Sequence, residues 1–198
     1  MEAIVNHPSS IVNARVEASA FFQAGRRLLG LAFFNLFIVS LLGVLLRAFP
    51  FLEGLPFQYK NLLHGHSHLA FGGWVLPALA GAILLYFREA QSVALRHWNI
   101  LTVLLAVSAW GMLLTFPLQG YKAGSIFFST LSVAAGFYQA VLLWKPLGRN
   151  RSAASACWLR AGLAYGVLSA MGPFATGPLI ALGQAGSPLY YNAIYFYL

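Results

Sequence analysis

Three histidines stand close together in the segment NLLHGHSHLAFGGWV, at positions 64, 66 and 68. Neutral imidazole ligates haem iron, copper and zinc, so these residue types indicate a metal or cofactor site. If the segment is a helix turning about 100° per residue, His64 and His68 share one face and His66 points nearly the opposite way. Either His64 and His68 act together, or His66 acts with a partner on another helix. A third interpretation is that the histidines only form hydrogen bonds.

Glycines follow the histidines along the same segment. Gly72, Gly73 and Gly81 would form a thin strip on a helix. Such a strip can border a flat macrocycle beside its axial ligand, or it can let another helix approach closely. Pro77 has no backbone N–H, so it leaves a carbonyl unpaired and can bend the helix.

The composition indicates which element carries these residues. The chain of 198 residues is 60% hydrophobic and 8% charged, whereas soluble domains carry about 25% charged residues. Several runs reach the roughly 18 apolar residues that span a bilayer. We therefore predict an all-α, polytopic integral membrane bundle that forms one transmembrane domain over residues 1–198, in contact with lipid. The net charge of +8 does not indicate nucleic acid binding, because the cationic residues are spread between apolar runs.

The apolar runs predict five full transmembrane helices and the start of a sixth. Residues 1–25 are predicted to lie outside the membrane, with a loop over residues 6–10 and then a short interfacial helix. A sixth span begins near Leu189 and is cut short at Leu198, which predicts the N-terminal part of a longer protein. The five full spans are expected at 28–46, 62–87, 100–118, 126–144 and 158–182.

Polar and small residues within the spans predict how the helices pack. The polar residues within the spans are expected to form interhelical hydrogen bonds, with a proton or water path as the alternative. They are Asn35, Ser40, Ser108, Thr115, Ser129, Ser132 and Gln139. Gly162, Gly166 and Ala170 recur every four residues in the fifth span. That spacing predicts a close helix contact there.

Loop charges predict the orientation. Nine of the 12 Lys and Arg residues fall on the side of the N-terminus, the second-to-third loop and the fourth-to-fifth loop. The positive-inside rule places that side in the cytoplasm, as in a bacterial inner membrane. The second span then runs inward and the three histidines lie near the outer face. The loop PLQGYKAGS, Pro117–Ser125, is predicted to be a tight turn on that outer side.

The segment HSHLAFGGWVLPALAGA, His66–Ala82, resembles the second transmembrane helix of haem–copper oxidase subunit I. The patch Leu76–Gly81 is similar to the MPAL-x-GG patch of that family, with Leu76 for Met and Ala82 for the second Gly. His66 then falls on the haem-ligand position. The AFGG of Ala70–Gly73 is similar to cbb3-type relatives and points nearer to His64. The string LHGHSH resembles the His-x-His segment of NnrS-like membrane proteins.

The resemblance implies a haem-binding subunit of a respiratory-type oxidoreductase that passes electrons towards dioxygen or nitric oxide. A histidine of the second span would be an axial ligand to a b- or a-type haem, with His66 first and His64 and His68 next, beside Gly72 and Gly73. The second axial ligand and the copper ligands would come from later helices, so no catalytic residue is assigned. Partners would be other respiratory subunits and an electron donor. Tyr121 or Lys122 could reach a haem propionate.

Other interpretations remain beside this one. A non-haem metal site or metal transporter would use His64 and His68 as ligands, and a non-catalytic helical protein would use no cofactor. The sequence contains no P-loop, dinucleotide fingerprint, HExxH, CxxC or serine-nucleophile motif.

Overall fold

The computed structural model describes residues 8–149, 154–172, 174, 176, 179, 182–184 and 186–197, and the regular elements within these ranges are all helical. The order is α1 (Pro8–Ala48), a 3₁₀ turn (Phe49–Phe51), α2 (Tyr59–His68), a π-helical segment (Leu69–Val75), α3 (Leu76–Tyr86), a second 3₁₀ turn (Arg88–Ser92), α4 (Leu95–Gln119), α5 (Ala123–Arg149), α6 (Ala154–Ser169) and α7 (Pro188–Tyr197).

Four helical segments of the described chain are long and apolar enough to cross a membrane: Arg15–Phe51, Tyr59–Tyr86, Leu95–Gln119 and Ala123–Gly148. They contain the first, third and fourth predicted spans, and all of the second except its last residue, Phe87. Many large apolar side chains on them face outward, among them Phe33, Val44, Leu114 and Val141. Such surfaces suit contact with lipid rather than water. The all-α class and the membrane character are therefore confirmed.

The prediction of five full spans exceeds what these residues show. At the position of the fifth span, α6 has 16 residues, which is about 24 Å of helix against a hydrocarbon core of about 30 Å. A fifth full span therefore stays a prediction.

The N-terminal prediction was wrong where the structure describes it. Ser9 and Ser10 lie in α1, which continues for 41 residues instead of forming a loop and a separate short helix. Pro8 is the first residue of α1, where its missing N–H breaks no helical hydrogen bond. Residues 1–7 of the predicted loop lie outside the described residues. The extramembrane location of residues 1–25 stays a prediction.

The chain divides into two compact units, Met1–Ala135 and Gly136–Leu198. In the first, α1 and α3 approach closely: a Cβ placed on Gly81 would lie 3.1 Å from the Gly25 carbonyl oxygen and 3.0 Å from Leu29 Cγ. Trp98, Leu101 and Leu105 on α4 are fully buried in this unit. The first unit contains the whole histidine segment. A single domain over residues 1–198 stays a prediction.

In the second unit, the Arg160 guanidinium of α6 lies over the Trp144 ring, 4.5 Å from its centroid. Gly162 and Gly166 have no other part of the described chain within 4 Å of a would-be Cβ. The close helix contact predicted at these glycines is therefore absent from the described residues.

Candidate functional site

A π-helical segment follows the histidines immediately. It covers the seven residues Leu69–Val75, and the Leu76 amide donates to the Phe71 carbonyl, five residues back instead of four. It ends just before Pro77, whose missing N–H frees the carbonyl four residues earlier, that of Gly73. The buried Asn35 amide of α1 donates to this Gly73 oxygen at 2.6 Å. The carbonyl that was expected to be unpaired therefore accepts the interhelical hydrogen bond expected of Asn35. The same expectation was wrong for four hydroxyls that donate to carbonyls of their own helices, those of Ser40, Ser108, Thr115 and Ser129.

The histidines point to two faces, as helix geometry predicts. His66 faces α1, where its Nδ1 lies 3.1 Å from the Val39 carbonyl oxygen. A carbonyl only accepts hydrogen bonds, so Nδ1 must carry the hydrogen. In the neutral ring, Nε2 then has the lone pair. Histidine ligands of metals are commonly held in this way, with one ring nitrogen bonded to a carbonyl and the other towards the metal.

An open groove of about 710 Å³ lies between α1 and α2 beside His66. Its volume falls within the range of about 300–1,000 Å³ found for small-molecule and cofactor sites. Gly43 lies beside the ring, and a Cβ there would be in ordinary van der Waals contact with His66 Cε1 at 3.4 Å. The groove is lined by Ser40, Gly43, Val44, Leu46, Arg47, Tyr59, Leu63 and His66.

His64 and His68 lie on the other face, against the turn between α4 and α5. His68 Nε2 and the Tyr121 hydroxyl are 2.9 Å apart, and the His68 ring stacks on Phe116 at 4.4 Å and 9°. The His64 ring meets the Tyr121 ring edge-on, with centroids 4.7 Å apart. His64 Nε2 is buried and has no hydrogen-bond partner among the residues that the structure describes. We call His64, His68, Phe116 and Tyr121 the outer cluster.

The turn that presents Tyr121 is fixed by its neighbours. Gly120 has a positive φ of 63°, a conformation that glycine adopts without strain. The buried Ser125 hydroxyl donates to the Gly120 carbonyl at 2.5 Å and accepts from the Lys122 amide at 2.9 Å. Asn61 of α2 packs against Gly120, with Oδ1 2.6 Å from a would-be Cβ. The tight turn predicted over Pro117–Ser125 is confirmed for Gly120–Lys122.

Gly72 and Gly73 are buried at helix contacts. A Cβ on Gly72 would lie 2.5 Å from Ser132 Oγ and 2.9 Å from Met112 Cε, and one on Gly73 would lie 3.1 Å from Ala109 Cβ. Of the two uses considered for this strip, the structure shows close helix packing. A cofactor beside Gly72 or Gly73 stays a prediction.

The side chains that could hold a metal ion or a haem differ between the His66 face and the outer cluster. Within the described ranges, no three His, Cys, Asp or Glu side chains come close enough to hold a metal ion together. His66 nevertheless fits one axial position of a haem, because its tautomer is set and it borders a groove of suitable size. Arg47 lines the same groove and could pair with a propionate. No second axial histidine accompanies His66 in the residues described.

The structure places Tyr121 against His64 and His68, and a contact of Tyr121 or Lys122 with a haem propionate stays a prediction. A signal for this contact was present, because the α4–α5 turn and the start of the second span were both predicted on the outer side. The Val39 carbonyl as partner of His66 had no signal in the sequence.

Comparison with known proteins adds no relative: no family model, no curated protein and no solved structure matches this chain.

Proposed function

We propose that this protein is a haem-binding membrane subunit of a respiratory-type oxidoreductase, with His66 as an axial haem ligand. The observation that supports this most directly is the hydrogen bond from His66 Nδ1 to the Val39 carbonyl. It holds the ring at the groove and leaves the Nε2 lone pair for a metal. The four long apolar helices supply a membrane setting for such a cofactor.

The chain's own residues would have separate tasks. His66 would hold the iron through Nε2, and Val39 orients the ring by accepting from Nδ1. Arg47, which lines the same groove, would offset the negative charge of the propionates. A bound haem would supply one-electron transfer, with its potential set by axial ligation, hydrogen bonding and burial.

The proposal includes finer assignments that go with this function. A second haem ligand and the ligands of an oxidase-type active-site copper would come from other helices, and the electron donor would be another respiratory component. The membrane is the bacterial inner membrane with the N-terminus in the cytoplasm. Dioxygen or nitric oxide is the terminal acceptor in the complete assembly.

The first test is haem binding by the full chain in detergent or nanodiscs. We expect about one haem per chain, which added imidazole converts to a low-spin six-coordinate spectrum. His66→Gly should lose the haem, and imidazole in solution should restore binding by replacing the missing ring. His68→Gly is the matched control on the same helix and should keep the haem.

Two results would contradict the proposal. One is loss of haem in His64→Gly or His68→Gly together with retention in His66→Gly, which would assign ligation to the opposite face. The other is a wild-type chain that takes up no haem when haem is supplied in excess.

A further inference from the structure

We propose that His64, His68 and Tyr121 form a second metal site, separate from the His66 groove, which binds Cu²⁺ through two imidazoles and one phenolate. The site lies where α2 meets the end of α4 and the turn after it. The contacts that support this second site involve none of the residues assigned to the proposed haem site.

Two of the donor atoms are already adjacent. His68 Nε2 and the Tyr121 oxygen are 2.9 Å apart, an ordinary hydrogen-bond distance. Two ligands that each lie about 2.0 Å from one ion are about 2.8–3.3 Å apart, so this pair can occupy neighbouring positions around one ion. The choice of metal follows from the donor types, because sites of nitrogen and oxygen donors bind Cu²⁺ more tightly than Zn²⁺ in the Irving–Williams order.

His64 supplies the third donor. It stands four residues before His68, a spacing at which two histidines on one helix face bind a single metal ion in other sites. Its Nε2 is buried yet has no hydrogen-bond partner, and burying a polar atom without a partner is unfavourable. Its ring lies edge-on to Tyr121. A metal ion between the rings would satisfy this nitrogen.

The surroundings hold the three side chains in place. Phe116, which is 0% exposed, stacks on His68 and so fixes the orientation of the imidazole. Gly65, between the two histidines, lets α2 approach α4, because a Cβ there would lie 3.3 Å from Pro117 Cγ and Cδ. Preorganised ligands of this kind lose little conformational entropy when the ion binds.

The binding step balances in protons and charge. Cu²⁺ replaces the hydrogen between Tyr121 and His68, the phenol O–H bond breaks, and the proton leaves to water. The phenolate lowers the net charge at the ion from two to one. This matters because Lys60 lies one helical turn before His64 and would oppose a fully charged cation. Neither metal nor tyrosine changes oxidation state in this step.

The test is a titration of the full chain in nanodiscs with Cu²⁺, followed by absorption and electron paramagnetic resonance. We expect one tight equivalent with nitrogen hyperfine coupling from two imidazoles and a phenolate-to-copper charge-transfer band. Zn²⁺ should compete at least tenfold more weakly. Tyr121→Phe should remove the charge-transfer band and weaken Cu²⁺ binding about tenfold while nitrogen coupling persists.

Matched variants separate this site from the haem site. His64→Gln and His68→Gln should each lose one nitrogen coupling and at least tenfold in affinity, whereas His66→Gln should bind Cu²⁺ as the wild type does. Each variant is first checked for unchanged helical content and thermal unfolding. Equal Cu²⁺ affinity in wild type, His64→Gln and His68→Gln would overturn the proposal, as would a charge-transfer band that survives Tyr121→Phe. Because the titration uses haem-free protein, failure to bind haem leaves this result interpretable.

Discussion

Asn35 is 1% exposed in a helix long enough to cross a bilayer, where an unpaired amide would be costly. Its amide donates to the Gly73 carbonyl, which Pro77 leaves without its usual backbone donor. A polar residue on α1 thus compensates for a proline that lies far along the chain, in the second span. This contact ties α1 to the helix that carries the histidines.

Asn35→Ala should destabilise the fold by about 1–2 kcal/mol, because it leaves a buried carbonyl without a donor. Unfolding of the reconstituted chain by a denaturing detergent measures this. Ser40→Ala is the matched control on α1, since Ser40 Oγ donates to Leu36 O of its own helix at an exposed position. It should change stability by less than about 0.5 kcal/mol.

The role of Pro77 is tested in the same series. Pro77→Ala restores an N–H that can bond to the Gly73 carbonyl. The loss from Asn35→Ala should therefore be smaller in the Pro77→Ala background than in the wild type, a coupling that a double-mutant cycle detects. Purely additive effects would show that Asn35 and Pro77 act independently.

At the scale of the elements, the length of the apolar runs was a good guide to the first four spans. Runs of apolar residues predicted the spans that α1, α4 and α5 occupy, because a bilayer-spanning helix must be long and uncharged. The π-helical segment Leu69–Val75 could not be predicted. The Asn35 amide bonds to the Gly73 carbonyl within this segment, a contact with a distant helix that local sequence does not show. A fifth full span stays a prediction, because four helical segments of the described chain are long and apolar enough to cross a membrane.

The glycines of the second span give an element-scale prediction. Gly72→Ala should destabilise by about 1–3 kcal/mol, since its Cβ would meet Ser132 and Met112 and force the helices apart. Gly30→Ala on α1 is the control, because nothing lies within 4 Å of its would-be Cβ. It should be neutral or stabilising by up to about 1 kcal/mol. Detergent unfolding compares them, and equal effects would refute the role of packing at Gly72.

At the scale of the whole molecule, the candidate site was partly predictable. Successive spans run in opposite directions, so the start of the second span and the α4–α5 turn lie on the same side of the membrane. This topology brings His64 and His68 to the same level as that turn. The pairing with Tyr121 could not be foreseen, because it depends on how closely α2 approaches α4 at Gly65. The two-face division of the histidines followed from helical geometry alone.

Orientation in the membrane is a prediction of this scale. Nine of the 12 cationic residues lie on the predicted inner side, so the turn at Tyr121 should lie outside the cytoplasm and the segment Arg88–Ser92 inside it. Alkaline phosphatase, which is active only outside the cytoplasm, should therefore be active when inserted at Tyr121 and inactive between Arg88 and Ser92. A fluorescent protein that is active only in the cytoplasm should give the opposite result. Reversed activities would show that the histidines lie near the cytoplasm.

The π-helical segment also affects how this chain should be compared with its homologues. A wide turn of this kind arises when one residue is inserted into an α-helix, and its hydrogen bonds shift from four to five residues back. Removing one residue between His68 and Leu76 would rotate the histidines by about 100° relative to α3. A homologue shorter by one residue here would turn its histidines towards different neighbours, so equivalent histidines in such a pair need not share a ligand.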